Sequence, residues 1–323
     1  MSDAMILDMH YPHRRNPHRA GAETHHRRWM EEFRMLGSRM SPASYARWDV
    51  ADLTALTYPD CAAEDLALAT DLMGFYFIFD DEFDGPLGRH PAESAELCDQ
   101  LIAVLHGAPA PADSPCVRGF ESIWRRISQG MSPRWLARAA YSWEGYLASH
   151  PAEAASRLAG AAPDRTPFLF LRRGTSAMET VLDTVERAGR FEVCPTAFHS
   201  PALRELRQLA ADIAPLSNDV HSYQQEVPRG DVNNLVMVVQ RERGCTLDEA
   251  SALALAEVQL KADRMAQLLD ELPYTYRSLE LDPAQEETAR RYADGMVALV
   301  SGYLDWEGRT VRYRSEQTAG RPR

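Results

Sequence analysis

Four acids fall within the five positions Asp80-Asp81-Glu82-Phe83-Asp84, directly after the apolar, aromatic run Leu72-Met73-Gly74-Phe75-Tyr76-Phe77-Ile78-Phe79. A helix turns about 100° per residue. On one, Asp80 and Asp84 share a face one turn apart, and Asp81 sits to the side. Tyr76 and Phe77 continue that face below Asp80. Carboxylates crowded beside aromatic rings are costly to keep ionised unless a cation holds them. Oxygen-only ligands select a hard divalent ion, magnesium above all where a phosphate shares it. Taken alone, the stretch fits equally well a core helix whose acidic end reaches solvent.

A second stretch, Asn218-Asp219-Val220-His221-Ser222-Tyr223-Gln224-Gln225-Glu226, spaces Asn218, Ser222 and Glu226 by four. On a helix these form a stripe about 12 Å long. Its donors are an amide carbonyl, a hydroxyl and a carboxylate, all oxygen, and such a stripe can chelate one divalent ion. The alternative for this triad by itself is a solvated polar face.

Taken together, the two stretches resemble the metal motifs of the class I terpene synthases in their bacterial single-domain form. Asp80 to Asp84 match the DDxxD segment, with Asp80 and Asp84 as ligands and Asp81 behind them. Asn218, Ser222 and Glu226, about 130 residues further on, match the NDxxSxxxE triad. The resemblance covers most of the chain and implies an all-α, single-domain helical barrel. There the two motifs face each other and hold three magnesium ions on the diphosphate of a prenyl substrate.

Other positions gain meaning from it. Arg172 shares a predicted helix face with Phe168, Thr175, Ser176 and Glu179. An arginine among apolar neighbours needs an anion, and pattern alone offers Glu179 or a place at the surface. The resemblance makes Arg172 a diphosphate sensor, Thr175 a linker and Ser176 an effector, with Gly174 weakening the helix nearby. It also implies diphosphate contacts from Arg229, Arg312 and Tyr313, with Arg312 bridging to Asp81. Gln225 stands where many relatives have lysine. Tyr76, Phe77 and Trp306 become candidate aromatic stabilisers of a carbocation, although the face that Trp306 shares with Tyr303 and Leu299 also fits plain core packing.

The elements that must position these residues read as helices throughout. The 323-residue chain is 45% hydrophobic, enough for a large core. Predicted helices run over residues 23–37, 44–50, 61–84, 91–106, 115–129, 133–149, 166–188, 201–226, 246–272 and 283–307, separated by proline-rich breakers, with no alternating strands and no repeat. Pro215 is expected to kink its helix. Residues 1–24 read as an N-terminal arm that the resemblance would lay over the site's mouth. Residues 25–313 form the catalytic domain, and 314–323 a frayed tail. A net charge of −12 argues against nucleic-acid or anionic-membrane binding. The five scattered cysteines read as reduced thiols. With no apolar leader segment and no apolar run of membrane-spanning length, a cytoplasmic protein without an integral membrane segment is expected. A homodimer is compatible with the sequence.

The chemistry implied is ionisation of a linear prenyl diphosphate, with the cation folded against apolar walls. Farnesyl diphosphate is favoured because the Asp80 segment resembles the sesquiterpene cyclases. Geranylgeranyl diphosphate, for a diterpene cyclase, is the alternative. A chain-elongating synthase would need a second DDxxD and a protonation-driven cyclase a DxDD, and the sequence has neither. A non-catalytic helical scaffold would leave the ordered succession of Arg172, the Asn218 triad and Arg312-Tyr313 unexplained.

Overall fold

A computed structural model describes residues 9, 11, 14–37, 40–83, 85–160, 163–229 and 231–312, except for the side chains of residues 86, 225 and 227–229. Asp84 and Tyr313 lie outside the described residues, and so does the side chain of Arg229. The helices are α1 (Arg19–Phe33), α2 (Pro42–Ala46), α3 (Val50–Thr57), α4 (Ala63–Phe83), α5 (Pro91–Leu105), α6 (Pro115–Ile127), α7 (Pro133–Ala159), α8 (Arg165–Thr175), α9 (Met178–Gly189), α10 (Pro195–Phe198), α11 (Pro201–Arg229), α12 (Leu235–Arg243), α13 (Leu247–Ser278) and α14 (Pro283–Glu307), with a 3-10 turn at Pro86–Arg89. No strand occurs among the described residues, and none of these helices is long and apolar enough to cross a membrane.

The helix starts follow local chemistry. Ser114 and Ser132 cap α6 and α7, each with proline in the first turn. Thr246 with Glu249, and Asp282 with Gln285, form capping boxes on α13 and α14. Two differences from the predicted ranges come from prolines that do not end helices. Pro151 sits inside α7 and Pro273 inside α13, so both run past their expected ends. Pro215 likewise lies within the continuous α11. Helix α12 was not expected, and α1 begins inside the expected N-terminal arm. Of that arm, Asn16 is buried and donates to the carbonyls of Tyr58 and Cys61. It thus packs at the end of α4 away from Asp80. The expected covering of the mouth by the first residues lies outside the described residues.

Helices α4, α7, α8, α9, α11 and α14, with Thr57 at the end of α3, line an open cavity of about 920 Å³, while α1, α5, α6, α12 and α13 pack around them. Helix α4 is apolar on all sides because it is buried on all sides. Of its two buried acids, Asp65 pairs with Arg187 and Arg190, and Asp71 is met from two other helices. Asp71 accepts from the rings of His25 and His26 at 2.9 Å and from Arg126 at 2.7 Å. Burial alone would raise the pKa of Asp71; those partners hold it below the usual range instead. Gly74 lets α1 come this close, since a Cβ there would lie 2.4 Å from the His26 ring.

Candidate active site

The α4 wall of the cavity carries Met73, Tyr76, Phe77, Asp80 and Asp81. Moving from Met73 to Asp80 crosses about two helical turns, from apolar floor to acidic rim. Asp80 keeps half of its side chain open, and Arg312 approaches it only to 3.8 Å. Enclosure by the cavity walls raises the pKa of Asp80, Arg312 opposes that rise, and the Asp81 carboxylate adds to it. Asp81 takes Arg312 directly, at 2.7 and 3.4 Å. The guanidinium of Arg312 lies over Trp48 (4.1 Å) and Phe77 (4.7 Å), which fixes its plane.

The α11 wall supplies Asn218, Asp219, Ser222 and Glu226 to the same cavity. Glu226 accepts from the Asn234 amide at 2.9 Å, and burial raises its pKa. Ser222 donates to the backbone carbonyl of Asn218. The Asn218 side chain donates to Glu307 at 3.1 Å and accepts from Arg172 at 3.3 Å. Arg172 also donates to the Pro215 carbonyl and pairs with Asp219 at 2.9 Å. The anion beside Arg172 is therefore Asp219. Glu179, the partner that pattern offered, pairs instead with Arg207, because the helix breaks before Glu179 and turns it onto another element. Asp219 is fully enclosed; burial outweighs Arg172 and pushes it up to about 7.

The break itself lies at Ser176–Ala177, between α8 and α9, with Ala177 left-handed at φ 58°. It does not fall at Gly174. That glycine stays helical, and the Ser149 hydroxyl lies 2.0 Å from where its Cβ would be, so its role is close packing of α8 on α7. Thr175 and Ser176 both line the cavity, and the buried Thr175 hydroxyl has no hydrogen-bond partner.

The aromatic candidates divide. Tyr76 and Phe77 line the cavity. Tyr76 stacks on Trp143 and shares a short hydrogen bond with Thr180 of α9. Trp306 is not on the cavity surface: it is 1% exposed, stacked behind Phe77 at 5.4 Å, with its indole N–H donated to the Trp48 carbonyl. The candidate role of Trp306 against a cation is thus corrected to support of Phe77, because the Phe77 ring screens it from the cavity. Trp48 and Tyr146, which the sequence did not single out, do reach the cavity.

Sequence reasoning also missed Glu153, Arg157 and Asp231. Arg157 pairs with Glu153 at 3.2 Å and with Asp231 at 3.1 Å, and donates to the Phe83 carbonyl at the end of α4. Burial raises Glu153 to about 7 despite Arg157. The pair is spaced by four on α7. It would have been readable as such but for Pro151, which suggested that the helix had ended.

Among the described residues, six carboxylates (Asp80, Asp81, Glu153, Asp219, Glu226, Asp231) and four guanidiniums (Arg89, Arg157, Arg172, Arg312) line the cavity. Four of the acids are taken by close arginines. Asp80 and Glu226, on different walls, are the two without a close guanidinium among the described residues. No three acidic, histidine or cysteine side chains converge within either wall among the described residues, so a cation there would also draw on Asn218 and Ser222. The uncommitted charge and the oxygen-only donor set fit a hard divalent cation.

Comparisons with known proteins identify the family. The model of "Terpene synthase family 2, C-terminal metal binding" matches residues 71–263. Pentalenene synthase of Streptomyces arenae is 36% identical over 314 residues, covering 96% of this chain and 93% of that one. A 7-epi-alpha-eudesmol synthase of Streptomyces viridochromogenes, described as cyclizing (2E,6E)-farnesyl diphosphate, is 32% identical across 92% of this chain and 88% of its own length. The crystal structure of germacradien-4-ol synthase from Streptomyces citricolor superposes with a TM-score of 0.89 at 50% identity, covering 96% of this chain and all of that one. The chain therefore belongs to the terpene synthase family, metal-binding all-α enzymes that act as lyases on prenyl diphosphates.

Proposed function

We propose that this chain is a magnesium-dependent sesquiterpene cyclase that ionises farnesyl diphosphate and closes the C15 chain to a cyclic product. The observation that supports the metal-dependent chemistry is the pair of carboxylates without a close guanidinium among the described residues, Asp80 and Glu226, on two walls of a cavity whose floor is apolar. The choice of substrate is supported by the eudesmol synthase relative, described as cyclizing farnesyl diphosphate.

Asp80, Asp84, Asn218, Ser222 and Glu226 would hold three magnesium ions. Bound there, the ions supply positive charge against the departing diphosphate. Arg172 and Arg312 point their guanidiniums into the same rim and bind the leaving group; Arg229 and Tyr313 join them by resemblance alone. Thr175, with its unpaired hydroxyl, and Ser176 sit beside Arg172 at a break between helices, where binding of the diphosphate can be felt by α9. The carbon–oxygen bond breaks, its electron pair leaves with the diphosphate, and the allylic cation faces Tyr76 and Phe77. Each ring stabilises nearby positive charge by about 0.5–2 kcal/mol. The 50% identity with germacradien-4-ol synthase favours an alcohol, formed when water captures the last cation and loses a proton.

Incubation with geranyl, farnesyl and geranylgeranyl diphosphates and magnesium, followed by mass analysis of the extracted products, tests this. A cyclic C15 alcohol from farnesyl diphosphate is expected. Cyclic C20 products, with only linear alcohols from farnesyl diphosphate, would reassign the enzyme as a diterpene cyclase.

A further inference from the structure

Glu307, the last residue of α14, does not touch the cavity, and its carboxylate is fully buried. It accepts hydrogen bonds from three side chains, Ser217 at 3.0 Å and Asn218 and Tyr303 at 3.1 Å, and the His221 ring, which is bonded to the Ser217 carbonyl, pairs with it at 3.1 Å. Ser217, Asn218 and His221 come from α11 and Tyr303 from its own helix. The Asn218 amide is the informative one. Its NH₂ faces a group that can only accept, and its carbonyl oxygen faces Arg172, a group that can only donate. Both neighbours select the same orientation of the amide. Only the carbonyl end of an asparagine can ligate a cation, so a reversed amide would present hydrogens where a ligand is needed.

From this we infer that Glu307 is a positioning residue for the metal triad: it locks the Asn218 carbonyl toward the cavity. The inference rests on the reading of Asn218 as a metal ligand. Such outer partners of metal ligands typically change metal affinity by about 10–100-fold when removed. Nothing in the spacing of the sequence pointed to this, because Glu307 lies 89 positions from Asn218 and outside either motif.

The test is a magnesium titration of the full chain in the presence of inorganic diphosphate, read as the rise in unfolding temperature and, separately, as the magnesium needed for half-maximal turnover. Asn218→Ala should lose most of the thermal response; a normal response in that variant would undo the ligand reading itself. With that reading intact, Glu307→Ala should need roughly tenfold more magnesium in both assays, and Glu307→Gln, which keeps the volume but loses the charge, several-fold more. Ser217→Ala removes another bond to the same carboxylate without touching the cavity, and should titrate like the parent. The double variant Asn218→Ala/Glu307→Ala should be no worse than Asn218→Ala, since Glu307 acts through that amide. Additive losses in the double variant, or parental titrations for the Glu307 variants, would overturn the inference. If the alanine variant does not fold, the glutamine variant decides.

Discussion

On the α11 wall, donors are held by side chains from other elements: Asn218 by Glu307 of α14, and Glu226 by Asn234 ahead of α12. On the α4 wall, Asp80 stands half open, with Arg312 no closer than 3.8 Å, while its neighbour Asp81 takes that arginine. Two oxygen-bearing walls of one cavity are thus built differently. The α11 wall is organised before anything binds, and its buried hydrogen bonds stabilise the apo fold. The α4 wall carries, in Asp80, a carboxylate that has no close guanidinium among the described residues. The difference predicts that changes on α4 affect turnover without harming the fold, whereas changes on α11 affect both.

The largest effect is expected at Asp80. Asp80→Asn should lower turnover by about a hundredfold or more, while the apo protein unfolds at the same or a slightly higher temperature, because a carboxylate that is crowded by Asp81 and only loosely met by Arg312 has been neutralised. A loss of stability matching the loss of activity would erase the distinction between the walls. Arg172→Ala should reduce kcat more than it raises KM, by roughly tenfold or more, since its contact strengthens as the leaving group gains charge. It should also destabilise the apo fold by about 1–3 kcal/mol by stranding Asp219, a penalty that Asp80→Asn lacks. Normal kcat with raised KM would make Arg172 only a docking residue.

Glu226→Ala should raise the magnesium needed for half-maximal rate by about tenfold. An unchanged magnesium requirement would return the triad to a solvated face.

The smallest effect concerns the packing beneath α4. His150 stacks on Phe83 at 4.4 Å and meets Phe79 and Tyr146 edge-on, and neither ring nitrogen has a hydrogen-bond partner. Burial, with Arg157 nearby, pushes its pKa down to about 3. The unfolded chain takes up that proton near pH 6.5. Below 6.5 the unfolded state therefore binds one more proton, and stability falls as the pH falls toward 3. His150→Phe should remove this, gaining about 2 kcal/mol on the parent between pH 7 and pH 5 in denaturant unfolding. Parallel stability profiles for the two proteins would contradict it.

How much of this could be read beforehand depended on where each partner lies in sequence. That Asn218, Ser222 and Glu226 share one wall was legible because their spacing of four along α11 puts them on one face, and Asp80 stood out as the acid that ends the apolar run of α4. The all-α class was legible from caps and periodicity, and α14 has the predicted bounds. Glu153 and Arg157 were hidden by Pro151, which a long helix packed on both sides absorbs. The break was placed near Gly174 by propensity, whereas Ser149 explains that glycine and Ala177 takes the left-handed turn. Trp306 had the right helix face but not the right depth, since Phe77 lies in front of it. Glu307 and Asn234 act only through contacts between elements, which no local pattern records.

In the proposed function the two walls act together through divalent cations on a diphosphate. Release of inorganic diphosphate from farnesyl diphosphate, followed while magnesium is titrated in and then removed with a chelator, measures this. Release should be absent without divalent cation, saturate with magnesium and stop on chelation. Release at a comparable rate in metal-free buffer would contradict it.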